Sequence, residues 1–541
     1  MEEVKYNPRT YKPNISNGLF IGFGKSLTNE NEPVIPIYVP WKDLNGHTIV
    51  FGTTRVGKTR LMMSFVDQMI EAGMDLIIVD PKGSKGQEII GWVLEYLEKH
   101  GKLTSFKYTS PMFAEMSMLF NPLFYLTNDE IKSLVKNIIQ ADEEFYKNMG
   151  ADVSYAIALA LEYIEKTMNP ELIKDKIREA YLALENHGNI ADEINNIINP
   201  DLAERVANPQ KPEGGELDTP PLRKLMTFAD IERYSSKEGC TELLDYINGL
   251  NEELIEVELT AELQSLRRQA IVNLEKIIKK PDDYFIKVGS SYESVISQLS
   301  NGQVGKILSI IKVNPIIDAL YDTTKSSVIV VQPFPLVFSE ASDTLVKMFF
   351  NMLSSLFGRI GASGRGLPRQ VGLLVDEGGA VLYEGVKDLF NKAGGLGLRL
   401  MIFTQSFSDI DDAVGEDVSR IISDNSNVKI YLRMNDEQSR ERVSKAFGVK
   451  KQLSDSSGGT KRDVRSMVQR TEENILNDSH VSELPNQTFL FQHGPRKYLI
   501  RGPFVPDPKC FIKMPKLISE ITLDEADLIR EEFLAKKLTN N

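Results

Sequence analysis

The chain of 541 residues holds 63 Lys and Arg against 76 Asp and Glu, a formal charge of −13, with 42% hydrophobic residues. That is globular composition at a length of two or three domains, and its acidity excludes a protein that coats nucleic acid unaided. Two cysteines, Cys240 and Cys510, and five scattered histidines exclude a disulfide framework and a four-ligand zinc site, and point to a reducing compartment.

Residues 1–40 read as a lead-in segment without the basic-then-apolar pattern of a secretory signal. From there the pattern alternates. His47-Thr48-Ile49-Val50-Phe51 predicts a buried strand, Lys58 to about Ala72 a helix, and Asp75 to Val79 a second strand. Between about Asn128 and Ile311 the periodicity is helical, as in Tyr155, Leu159, Leu161, Tyr163 and Ile164, with Pro- and Gly-rich breaks over 208–221. Buried strands then return at Ser327–Val331, Val371–Val375, Leu398–Thr404 and Val428–Leu432. The greasiest stretch, Leu345–Leu356, is interrupted by Lys347 and Asn351, so no membrane span is expected.

The expected fold class is therefore α/β. A nucleotide-binding domain with a mainly parallel sheet is written in two pieces, 41–125 and 312–508, interrupted by a large all-α insertion domain over 126–311. Residues 453–470 have the composition of a flexible loop, and 509–541 read as a tail, largely helical. Charge follows the same division. Residues 121–300 hold 33 acidic and 19 basic side chains, a net of −14, which leaves the rest of the chain at +1.

Gly52-Thr53-Thr54-Arg55-Val56-Gly57-Lys58-Thr59 fits G-x-x-x-x-G-K-[ST] between a predicted strand and a predicted helix, the context that makes the pattern a phosphate loop. Its glycines let backbone N–H groups face the phosphates, Lys58 would neutralise β- and γ-phosphate charge, and Thr59 would ligate Mg²⁺. A chance Gly-rich turn is the weaker reading. Val371–Val375 runs into Asp376 and Glu377, which at a parallel strand's C-terminal end would hold Mg²⁺ through water and polarise the attacking water, respectively. On their own the two carboxylates could equally start a helix. Gln405, after Leu398–Thr404, could sense the γ-phosphate or simply cap. Asp80, in Asp80-Pro81-Lys82-Gly83, ends another strand at the same edge or caps the next helix.

Taken together, GTTRVGKTRL (Gly52–Leu61), DPKG (Asp80–Gly83), FNP (Phe120–Pro122), Val375–Glu377 and NKAGGLGLRLMIFTQ (Asn391–Gln405) resemble type IV secretion coupling proteins of the TraD/TraG type carried by integrative conjugative elements. The resemblance spans roughly residues 18–505. It implies a RecA-like P-loop NTPase domain of the FtsK/HerA-like motor superfamily, split by an all-α domain. It also implies an ATPase using ATP and Mg²⁺, with Lys58 and Thr59 on nucleotide and metal, Asp376 and Glu377 as the strand-end carboxylates and Gln405 as sensor. The partners implied are single- or double-stranded DNA, relaxase and relaxosome proteins, secretion-channel components and a homo-oligomer, usually a hexamer. Two features depart from the family. Its trans-acting arginine has no counterpart in Lys392-Ala393-Gly394-Gly395, leaving Lys392, Arg420 or Arg433 as candidates, and its two N-terminal transmembrane helices are not seen. The expected location is cytoplasmic, or the cytoplasmic face of the inner membrane through an anchor that is missing or separate.

Two other readings fit the motifs: a DNA translocase of the same superfamily unconnected with secretion, and a nucleotide-switched scaffold. The long insert favours the secretion reading, because a processing translocase needs no large protein-docking module, and its acidity would steer basic DNA-processing partners toward it. It could equally be a solvated face that keeps the domain soluble. Candidate DNA contacts are Lys450, Lys451, Lys461 and Arg462, which as plausibly are ordinary surface charge.

Overall fold

Strands buried on both faces require a sheet covered by helices on each side, and the chain builds one. The computed structural model describes residues 7–29, 31–83, 87–139, 144–167, 225–253, 261–364, 366–458 and 465–510. The strands are β1 (Leu19–Ser26), β2 (Ile35–Val39), β3 (Thr48–Phe51), β4 (Asp75–Val79), β5 (Phe106–Thr109), β6 (Val328–Val331), β7 (Val371–Val375), β8 (Leu398–Thr404), β9 (Val428–Tyr431), β10 (Val449–Gly458), β11 (Arg465–Asn474), β12 (Thr488–His493) and β13 (Arg496–Arg501). Eleven of them form one sheet in the order β2-β1-β13-β12-β9-β3-β8-β7-β4-β6-β5. From β9 to β5 the pairing is parallel, and the four strands beyond β9 are antiparallel.

Alternation sorts the side chains into two layers. Val50, Leu76, Ile78, Val330, Leu374 and Phe403 face one side, under helices α1 (Lys58–Glu71) and α2 (Glu88–Lys99). Ile49, Phe51, Ile77, Val79, Val375 and Ile402 face the other, against the long helix Pro335–Ser363. That second layer does not stop at the sheet. It runs without a break into the helices between β5 and β6, including α3 (Asn128–Ile138) and α4 (Glu144–Thr167), through residues such as Leu134, Ile157, Tyr163, Phe349 and Phe350.

The chain leaves the sheet after β5 and returns before β6 through one neck. Asn121 N–H donates to the Val313 carbonyl, and Asn314 Nδ2 donates to the Asn121 carbonyl at 3.0 Å. Both asparagines are fully buried, and Asn121 Nδ2 also donates to the Met226 carbonyl at 2.8 Å. The FNP motif thus closes the neck.

Two expectations change. Residues 449–458 and 465–474 pair as the strands β10 and β11, not as a flexible loop, because a backbone ladder forms there without an apolar face to announce it. Strands β1 and β2, within the segment read as a lead-in, add to the main sheet. The tail beyond Cys510 lies outside the described residues. Among those described, no helix is long and apolar enough to cross a membrane.

Candidate functional site

Register decides which strand ends meet. Phe51 lies beside Thr404, and Val79 lies beside both Val375 and Val331. The residues that follow, Gly52, Asp80, Gln332, Asp376 and Gln405, therefore emerge along one C-terminal edge.

Backbone contacts shape the phosphate loop. Gly52 N–H donates to the Thr404 carbonyl at 3.1 Å and Thr53 N–H to that of Arg433 at 2.9 Å. Thr54 and Arg55 are exposed, with Arg55 left-handed at φ 62°, while Val56 is buried. Gly57 adopts φ 108° as the N-cap of α1, a conformation that strains any residue with a side chain. Lys58 is only 6% exposed and folds back to donate to the Gly52 carbonyl inside the loop. Burial pulls its pKa down, against the raising influence of Glu377 and Asp376.

The structure brings Thr59, Asp376, Glu377 and Gln405 to this loop. Thr59 Oγ1 donates to Asp376 Oδ2 at 3.2 Å. Glu377 is left-handed at φ 59°, and its carboxylate is held at both oxygens, by Gln405 Nε2 on Oε1 and by Lys82 Nζ on Oε2 at 2.7 Å. Burial alone would raise its pKa, but those hydrogen bonds and the charge of Lys58 outweigh it and hold the carboxyl below its usual range. Asp376 goes the other way, pushed up to about 7 by burial and by the neighbouring charges of Asp80 and Glu377.

Asp80 lies at the same edge and is 2% exposed. It caps its own turn by accepting from Gly83 N–H at 3.2 Å, and its other oxygen accepts from Gln332 Nε2 at 2.7 Å. Gln332 also accepts from the Tyr108 hydroxyl at 2.9 Å. Sequence reasoning missed Gln332, although it follows a buried strand as Asp376 does. It also missed Gln487, whose N–H donates to the Val56 carbonyl at 3.0 Å and whose side chain rests against Gly57. A contact between residues so far apart in sequence leaves no local signal.

A divalent cation fits this donor set. Asp376 Oδ1 is buried with no hydrogen-bond partner, and Asp80, Asp376 and Glu377 crowd negative charge around one threonine hydroxyl. Among the described residues no three His, Cys, Asp or Glu side chains converge as an all-protein metal cage. A hydroxyl, with one carboxylate acting through water, suits Mg²⁺, which keeps water and takes phosphate ligands.

The candidates for a trans-acting charge are not at this cluster. Lys392 pairs with Asp388 at 2.9 Å and Arg420 with Asp417 at 2.7 Å, both exposed. Arg433 lends its carbonyl to the phosphate loop, but its guanidinium donates to Asn486 Oδ1 at 3.2 Å. Lys450 and Lys451 lie on β10, and Lys461 and Arg462 fall outside the described residues.

Residues 370–486 match the family described as the TraM recognition site of TraD and TraG. No curated protein matches the chain. Among solved structures it is similar to the bacterial conjugative coupling protein TrwBdeltaN70 in an unbound form, at 15% identity and a TM-score of 0.52, covering 92% of this chain and 93% of that one. It is similar, too, to TrwB in complex with the non-hydrolysable ATP analogue ADPNP, at 14% identity and TM-score 0.52, covering 95% and 99%. A third likeness is to TrwB in complex with ADP and Mg²⁺, at 14% identity and TM-score 0.50, covering 91% and 96%. Residues 370–486 thus match the TraD/TraG family model, inside a chain whose fold is similar to that of TrwB over nearly its whole length.

Proposed function

We propose that this protein is an ATP-hydrolysing coupling protein of a type IV secretion or conjugation system, which recruits a relaxase–DNA substrate and drives DNA to the secretion channel. The observation that carries the reading is the convergence of Lys58, Thr59, Asp376, Glu377 and Gln405 at one sheet edge within that fold. In it the backbone of residues 52–57 and Lys58 bind the phosphates, and Thr59 and Asp376 would hold Mg²⁺, Asp376 through water. Mg²⁺ held there would supply positive charge to the bound phosphates. Glu377 aligns the attacking water, and Gln405 fixes Glu377 and senses whether the γ-phosphate is present.

The division into a nucleotide-binding domain over 41–125 and 312–508 and an all-α domain over 126–311 belongs to the same reading. So do a ring of copies, a hexamer on DNA, and a place at the cytoplasmic face of the inner membrane through a separate or missing anchor. Partner recognition has two candidate surfaces. The matched region lies at 370–486, outside the acidic insert expected to dock basic partners.

ATPase activity with and without single- and double-stranded DNA, alongside mass determination of the assembly, tests the proposal. Hydrolysis stimulated by DNA and abolished in Lys58→Ala is expected. A protein that hydrolyses ATP at the same rate with either DNA or none is not this motor.

A further inference from the structure

Lys82 is a charge without a role in the phosphate-loop scheme. It stands on the Asp80-Pro81-Lys82-Gly83 turn, and its ammonium sits 2.7 Å from Glu377 Oε2. Its charge also reaches Lys58, one of the groups acting on that buried ammonium. Base and head of the residue differ in freedom. The turn is fixed from beneath by the buried chain Tyr108–Gln332–Asp80, with Asp80 accepting from Gly83 N–H. It is fixed from above by Phe334, whose ring would lie 2.5 Å from a Cβ on Gly83. The Lys82 side chain, by contrast, is 50% exposed, whereas that of Glu377 is 12% exposed.

That arrangement occupies the group meant to orient water. With Lys82 on Oε2 and Gln405 on Oε1, each carboxylate oxygen of Glu377 already accepts a hydrogen bond, and the ammonium draws off the negative charge that would orient a water molecule. A terminal phosphate brought to Lys58 carries more negative charge than Glu377 and would compete for the same ammonium. We propose that Lys82 is a two-position lysine, docked on Glu377 when no triphosphate is bound and transferred to the terminal phosphate when one is, releasing Glu377 for the attacking water. Lys82 is then a positioning residue for Glu377 and a determinant of triphosphate over diphosphate, supplied from within the same chain. The inference rests on the ATP-hydrolysis reading of this site.

The test is a double-mutant cycle on nucleotide binding, which needs no turnover. Equilibrium affinities for the non-hydrolysable analogue AMP-PNP and for ADP, both with Mg²⁺, are measured on the full chain as wild type, Lys82→Ala, Glu377→Gln and the double variant. Glu377→Gln frees Lys82 from its partner and should tighten AMP-PNP about fivefold, an effect expected for a partly exposed charged hydrogen bond. In the Lys82→Ala background the same change should do nothing to AMP-PNP, and ADP should vary less than about twofold across all four proteins. Lys82→Arg should keep the preference for AMP-PNP over ADP that Lys82→Ala loses. Equal tightening by Glu377→Gln with and without Lys82, or equal loss of both nucleotides in Lys82→Ala, overturns the two-position lysine. Failure of every variant to bind AMP-PNP would instead remove the ATPase reading beneath it.

Discussion

His47 shows how one buried side chain sets an acid limit. Its Nδ1 accepts from Leu400 N–H at 3.2 Å, so Nε2 carries the proton and donates to the Phe390 carbonyl at 3.1 Å. The neutral ring is fully used, and burial holds its pKa down to about 4. The unfolded chain therefore takes up a proton near pH 6.5 that the folded chain refuses until about 4. Stability from this group is complete above the unfolded value, falls as pH drops from 6.5 toward 4, and is level below that. The full difference is about 3 kcal/mol. Denaturant unfolding across that window should give a visibly flatter acid slope in His47→Asn than in wild type, and equal slopes would show that His47 is not the group titrating. Asp75, raised by burial to about 6, works in the opposite direction in both proteins and cancels from the comparison. None of this was legible in the sequence, where His47 read only as the edge of a strand. The phosphate loop was legible, because its glycines and Lys58 lie within one stretch of eight residues. Gln332, Gln487 and the Lys82–Glu377 pair were not, because each depends on a partner far along the chain.

At the scale of elements, the strands buried on both faces were readable and the antiparallel extension was not. Ile49-Val50 and Leu76-Ile77-Ile78 cannot sit elsewhere than in a covered sheet. Strand β1 is broken by Gly22 and Gly24, which let it approach β13 and β2 closely but spoil its pattern. The hairpin β12–β13 had a usable signal in its two-residue Gly494-Pro495 turn, with Gly494 at φ 56°. The neck was present as a motif without a reason. Asn121 supplies one: its side chain satisfies the Met226 carbonyl and accepts from Leu123 N–H at 3.0 Å, all in the interior. Asn121→Ala leaves both groups unpaired and is expected to cost about 3 kcal/mol, read as a lowered denaturant midpoint. A midpoint within error of wild type would mean the neck is held without the Asn121 side chain, by its backbone contacts and Asn314.

For the whole molecule, the net charge divides as −14 on residues 121–300 and +1 elsewhere, so the acidity of the chain says nothing against DNA near the sheet-bearing part. An exposed apolar pair follows the strand end that carries Gln332. Leu336 is 96% exposed and Val337 54%, at the start of the helix that follows β6. Large apolar side chains in the open suit contact with another copy. If neighbouring chains complete the site, ATPase rate per chain should rise steeply with protein concentration, by about tenfold or more between the dissociated and assembled ranges. A rate strictly proportional to concentration would argue that each chain works alone.

The continuity of the second apolar layer has a mechanical consequence. Helices that merely dangled from a sheet on two loops would swing under load and absorb the motion. Here the outgoing and returning segments are clamped together at Asn121 and Asn314, and among the described residues one apolar cluster continues beyond them. A pull on the helical part would therefore be shared by two tethers and by that apolar contact, and would reach the strand ends through both. The helical part acts as a lever rather than a leash.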